Sequence, residues 1–286
     1  MRGKDVYPLL KRTVDEWIDD LAPTYAASVA YYTVFSLSPL LIIAVGVAGV
    51  FFGEEAARGE IDSQLRDLIG EAGAQAVQQM MVNAKYSDAG TLATIAGLAI
   101  LAFGATAVFV QLQEALNHIW NVQSPKVSGF RNFLRIRFWS FAMVIGTGFL
   151  LLVSLVMSAL LSAFGKYLGH LIPGWSLMLQ LLDFFVPWAL ITVLFAISFK
   201  VIPDRKIAWR DVWLGAGVTS LLFSIGKFAI GLYLGKSSVA SSYGAAASLA
   251  IILIWVYYSA QIFFLGAEFT QVYARCHGSL RNSTCD

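Results

Sequence analysis

Four ionisable side chains fall inside long apolar stretches of this sequence: Asp183, Lys227, Glu114 and Glu268. A charge at such a position is costly and serves either a polar pathway or a structural pair. A carboxylate held beside an ammonium can exchange that partner for a cation or a proton, so Asp183 with Lys227 suits ion-coupled or headgroup-binding chemistry. Counted inward from Trp175 and Leu234 at about 1.5 Å per residue, both lie roughly 11 to 12 Å deep. Glu114 and Glu268 each precede the end of their apolar segment by six residues. Basic side chains at Arg131, Arg135, Arg137 and Arg275 edge the same side and are candidates to neutralise them. Spacings of three and four put Gln111, Glu114 and His118 on one helical face, with Asn117 next to it. Read as function, these groups line a path for a proton, an ion or a lipid headgroup. Read as structure, the charges are buried pairs that fix helix register, and His118 is an interfacial histidine.

The elements that position them follow from composition. Hydrophobic residues make up 58% of the 286-residue chain and charged residues only 13%, about half the charged share of soluble domains. One globular core cannot hide that much apolar surface, so the bilayer is the solvent. Six segments are long enough to span it: 24–53, 91–120, 132–165, 175–200, 209–234 and 243–274. The chain reads as all-α, a single transmembrane domain over 1–286. Pro39 and Pro187, in helices of opposite direction, hint at an inverted repeat. Val6, Leu10, Val14, Trp17, Ile18 and Leu21 recur at helical spacing between charges, which predicts an N-terminal helix lying at the interface. Pro23 suits the first turn of the helix that follows.

Charge sets the orientation. The stretch from Glu54 to Gly90 carries seven acids and three bases, whereas the next loop brings Lys126, Arg131, Arg135 and Arg137 with no acid. Basic loops stay inside, so the first loop faces out, and both termini face the cytoplasm. Lys200, Arg205, Lys206, Arg210, Arg275 and Arg281 fall on the same inner side. Within the acidic loop, Ile61, Leu65, Leu68, Ala72, Val77 and Met80 mark an amphipathic helix. Tryptophans 17, 120, 175, 209 and 213 read as interfacial anchors. Gly49 with Gly53, and Gly231 with Gly235, form GxxxG spacings that predict close helix contacts within the subunit and leave a homo-oligomer open. Asp15, Glu16, Asp19 and Asp20 spoil a cleavable leader, so the first span is its own targeting signal.

A net charge of +2 argues against nucleic acid as a partner and leaves membrane lipids as the expected one. Cys276 and Cys285, in the predicted inner tail, are expected as thiols because cytosolic disulfides are rare. His118, His170 and His277 are dispersed and show no zinc spacing. No phosphate-binding loop or serine elbow occurs. The expectation is no enzyme, no metal and no cofactor.

Three stretches carry a family likeness: AYYTVFSLSPLLIIAVGVAG from Ala30, FGATAVFVQLQEALNHIWNV from Phe103, and IPDRKIAWRDVWLGAGVTSLLFSIGKFAIGLYLG from Ile202, continued by YGAAASLAIILIWVYYSAQIFFLGAEF from Tyr243. In this order they resemble the YihY/BrkB family of bacterial inner-membrane proteins over nearly the whole chain. The resemblance implies six membrane helices and brings a "virulence factor" label and an old "ribonuclease BN" name, the latter without support in these residues. Tyr31, Ser36, Pro39, Gln113, Asn117, Trp120, Asp211, Lys227, Tyr243, Gly244 and Glu268 match its pattern, and none carries a proven catalytic role. The expected function is transport or translocation of an envelope lipid or another amphipathic substrate. The alternatives are ion-coupled cation or proton efflux and a noncatalytic envelope scaffold.

Overall fold

The computed structural model describes residues 6–36, 104, 107–122, 175–236 and 247–281, with scattered positions between 53 and 79. In helix 175–201 the described side chains begin at Phe185 and exclude Pro187. The predicted span 132–165, Pro39, Arg131, Arg135 and Arg137 lie outside the described residues, as does the side chain of Asp183.

All regular structure among the described residues is helical: α1 (Val6–Asp19), α2 (22–36), α3 (107–119), α4 (Trp175–Val201), α5 (Trp209–Lys236) and α6 (Ala247–Cys276). Further helical residues lie between 55 and 79. Trp209–Tyr233 and Leu249–Cys276 are each long and apolar enough to cross a bilayer, since 25 residues rise about 37 Å against a hydrocarbon thickness of roughly 30 Å. The chain divides into two compact units. The first comprises Met1–Thr13, Leu116–Leu222 and Gly266–Asp286; the second comprises Val14–Ala115 and Phe223–Leu265.

In the first unit, α5 and α6 approach through a reciprocal device. A Cβ at Gly215 would overlap Thr270 Oγ1 and stand 2.7 Å from Thr270 Cβ; a Cβ at Gly266 would overlap Thr219 Oγ1 and stand 2.8 Å from Thr219 Cβ. Each threonine donates its hydroxyl to the glycine carbonyl one turn earlier on its own helix, Thr219 to Gly215 and Thr270 to Gly266, both at 2.7 Å. The same Gly-x-x-x-Thr spacing on two antiparallel helices thus gives each glycine notch a threonine to fill it. The hydroxyls also meet their hydrogen-bonding needs in an apolar setting. Leu9 of α1 closes this unit against Phe269 and Val272. Thr192 Oγ1 of α4 stands 2.8 Å from Ser220 Oγ of α5.

In the second unit, Gly226 admits Ile262 and Tyr258, whose atoms would lie 2.6 and 2.7 Å from an added Cβ. Ile230 packs with Ile251 beneath Ile254, Trp255 and Tyr258. Gly104 receives Ser36 at 2.8 Å in the same sense. Between 55 and 79, Ala74 and Val77 are buried while Gln75, Gln78 and Gln79 are exposed, a two-faced pattern as predicted. Gln78 nevertheless donates to Asp62, and residues that far apart on one straight helix would stand about 24 Å apart, so the single helix expected over 61–81 needs correcting.

The GxxxG expectation needs correcting. Among the described residues, a Cβ at Gly231 or Gly53 would meet nothing within 4 Å, so neither is a contact point there, and Gly49 lies outside the described residues. Spacing marks a row of small residues, but the rotational face decides which of them meet a neighbour, and on α5 that face carries Gly215 and Gly226. Pro23 occupies the first turn of α2 as expected, after a left-handed Leu21 (φ 54°) that breaks α1 from α2. Along α1, Leu10, Val14 and Ile18 stay exposed, the uncovered apolar stripe of a helix suited to an interface. Cys276 is disulfide-bonded rather than a thiol. Leu280 N donates to Ala274 O at 3.0 Å, and this reversal turns the tail back at once, which spacing alone did not reveal.

Candidate functional site

Among the described residues, a dense polar arrangement lies in the first unit, where the end of α3, the 202–208 connection and α6 meet. Asn121 takes a left-handed conformation (φ 50°) that asparagine tolerates, and Val122 N donates back to Asn117 O at 2.8 Å, ending α3. That ending leaves carbonyls without helical partners, and long side chains take them. Gln271 Nε2 donates to Ile119 O at 2.9 Å, and an Arg205 guanidinium nitrogen to Trp120 O at 2.6 Å. A cation at a helix C-terminus also meets the negative end of the helix dipole.

Asn117 uses both ends of its amide on one residue. Its Nδ2 donates to Asp204 Oδ2 at 3.1 Å, and its Oδ1 accepts from Asp204 N at 2.8 Å. The Arg205 guanidinium lies over the Trp120 ring, 5.8 Å from its centroid. Trp120 is therefore buried, at 1% exposure, and is not the interfacial anchor its position at a span end suggested. Lys200 Nζ donates to Ile207 O and sits 5.6 Å from the Trp209 ring centroid, drawing the connection's two ends together.

A second fastening joins the start of α5 to the tail. Asp211 is buried in the first turn of α5, where a carboxylate suits the dipole. It accepts from Ser279 N at 3.0 Å and Ser279 Oγ at 2.6 Å. Only glycine fits at 278, since an added Cβ would stand 2.6 Å from Asp211 Oδ1 and 2.7 Å from Ala274 Cα.

The opposite side of α3 differs. Glu114 and His118 are exposed, and Gln111, half-buried, places Nε2 3.5 Å from Glu114 Oε2. These three share one helical face as their spacing requires, while Asn117 turns inward. Of the other predicted residues, Glu268 is fully buried on α6, Arg275 is half-buried in its last turn, and Lys227 is half-buried on α5 in the second unit. Among the described residues no group of three His, Cys, Asp or Glu is arranged to hold a metal ion. The partners Asp204, Gln271 and Ser279 escaped sequence reasoning. Asn117, Trp120 and Asp211 carried a signal as positions of the family pattern, but nothing local names a partner 87, 85 or 68 residues away.

The model of the virulence factor BrkB family matches residues 13–285. The chain belongs to that family. A UPF0761 membrane protein of Nitrosospira multiformis is 30% identical over 85% of this chain, a match covering 55% of that relative. One from Pseudoalteromonas translucida is 26% identical over 90% of the chain and 83% of the relative. One from Xanthomonas campestris is 30% identical over 88% of the chain and 57% of the relative. The chain thus spans little more than half the length of two of these three relatives. No solved structure matches it. Family membership, relatives named as membrane proteins and two bilayer-length apolar helices make this an integral membrane protein of a bacterial membrane.

Proposed function

We propose that this BrkB-family chain moves an amphipathic, headgroup-bearing substrate, an envelope lipid in the first instance, along a polar path beside α3. One observation carries the reading: exposed Glu114 and His118, with half-buried Gln111, form a polar row on one face of α3. In hydrocarbon such a row is unfavourable unless it faces water or a polar ligand. A carboxylate flanked by an amide and an imidazole can bind an ammonium headgroup or a cation and pass a proton. The same helix's Asn117 is committed to Asp204, so it serves the frame and not the path. No step calls for an enzyme nucleophile, metal or cofactor.

The topology proposed with it is six spans in the inner membrane, termini inside, in one membrane domain. Cysteine placed at Gln75 should react with an impermeant thiol reagent from outside, and cysteine at Ser128 should not. The disulfide at Cys276 pulls against an inner tail, because a reducing cytosol opens such bonds. Thiol blocking in intact cells decides between the two: a reduced Cys276 supports the inner tail, and an oxidised Cys276 an outward one. The activity is tested in proteoliposomes that report lipid scrambling and ion flux in parallel. Scrambling above protein-free vesicles supports the reading; ion flux alone assigns ion-coupled efflux; neither activity from folded protein leaves the scaffold.

A further inference from the structure

A second lipid contact is written on α5, separate from the translocation path. Trp209 and Trp213 are about half exposed, at 49% and 47%, with ring centroids 6.5 Å apart. Beside them Lys206 and Arg210 are exposed, Arg210 three residues before Trp213 and Lys206 three before Trp209. Past the tryptophans, Leu214 and Leu221 continue an exposed apolar face, at 37% and 55%. The neighbouring acid that could cancel these cations, Asp211, is buried and bound by Ser279. Asp204 is engaged by Asn117, and Lys200 is drawn to Ile207 O.

Along the chain the order is Lys206, Trp209, Arg210, Trp213, Leu214 and Leu221, so the cations reach headgroup level by extending beside the indoles, where interfacial aromatics sit, and aliphatic side chains follow at acyl depth. We infer that Lys206, Arg210, Trp209 and Trp213 form a fixed site for an anionic phospholipid, whose phosphate meets the cations and whose first acyl methylenes lie along the indoles and Leu214. A zwitterionic lipid offers the same chains without net negative charge, so selectivity rests on the cations. At roughly fivefold per Lys or Arg near a membrane surface, the two together favour the anionic lipid by about twenty-five-fold. The inference uses the membrane setting but not the translocation reading, and it holds or fails independently of any transport.

The test is tryptophan fluorescence of the full chain in phosphatidylcholine vesicles carrying a small fraction of dibrominated phosphatidylglycerol or dibrominated phosphatidylcholine. The brominated phosphatidylglycerol is expected to quench more at equal fraction. That excess is expected to vanish in Lys206→Gln/Arg210→Gln and in Trp209→Phe/Trp213→Phe, and to persist in Lys11→Gln, which removes an exposed cation elsewhere. Equal quenching by both lipids in the wild-type protein overturns the site. So does an excess that survives the paired charge substitution, or one abolished by millimolar inorganic phosphate, which would assign the cations to a free anion. All the substituted cations are exposed, and circular dichroism confirms that the variants compared are folded.

Discussion

The polar corner of the first unit and the acidic segment of the second use charge in opposite ways. At the corner, Asn117 with Asp204, Arg205 with Trp120 and Gln271 with Ile119 join residues 85 to 152 positions apart, and Asn117, Trp120 and Gln271 are buried. In the acidic segment, Arg66 donates to Asp62 and Glu71, Gln75 donates to Glu71 and Gln78 donates to Asp62, contacts spanning 4 to 16 positions between exposed or nearly exposed side chains. The first arrangement joins distant parts of the chain in buried surroundings; the second stays within one exposed segment. Hydrogen-bonding to the two carboxylates raises the pKa of Arg66 above its ordinary value. Arginine is already fully charged at neutral pH, so this confers no pH dependence in the physiological range.

The contrast can be broken or sharpened by substitution. The largest effect is expected at the α5–α6 interlock near the corner. Gly215→Ala or Gly266→Ala forces a Cβ into a threonine and should destabilise by about 1 to 3 kcal/mol, with the double variant losing folded yield. Gly215→Ala with Thr270→Gly should recover part of that loss, because the notch is reopened from the other side. Thermal melts in detergent measure both, and an additive double variant would mean the two positions do not meet.

Next in size is the corner itself. Asn117→Leu removes one hydrogen bond to the Asp204 carboxylate and one from its backbone N–H, and a bond to a charged group is worth about 1.5 to 3 kcal/mol. A loss in the lower part of that range is expected, since Asp204 keeps access to water. A melting temperature unchanged from wild type would show that the 202–208 connection is held by Arg205 and Ile207 instead. The smallest effect is reserved for the acidic segment. Arg66→Gln should leave the melting temperature unmoved at moderate salt, because exposed ion pairs add little and are screened. A clear drop there would erase the distinction between the two regions.

The same contrast explains what the sequence made legible. Strong local signals located α4, α5 and α6: predicted 175–200, 209–234 and 243–274 became Trp175–Val201, Trp209–Lys236 and Ala247–Cys276. The run of apolar residues in each is long enough that only its ends are uncertain. The N-terminal helix and the shared face of Gln111, Glu114 and His118 followed from periodicity alone. Long-range partners did not. Arg205 read only as a loop charge and Asp204 went unremarked, because their roles depend on Asn117 and Trp120 arriving from α3. Trp120 read as an anchor because burial under Arg205 leaves no mark on its neighbours. Gly231 read as a contact because GxxxG records spacing and not direction.

The central claim, that the exposed face of α3 is the path while its inward face is the frame, has one direct measurement. Lipid scrambling is compared in proteoliposomes of equal protein content for wild type, Glu114→Gln/His118→Gln and Asn117→Leu, each with its melting temperature. The account predicts that Glu114→Gln/His118→Gln keeps the wild-type melting temperature and loses at least tenfold in scrambling rate, while Asn117→Leu melts lower and, below its transition, scrambles at close to the wild-type rate. Full scrambling by Glu114→Gln/His118→Gln, with its stability unchanged, would contradict it.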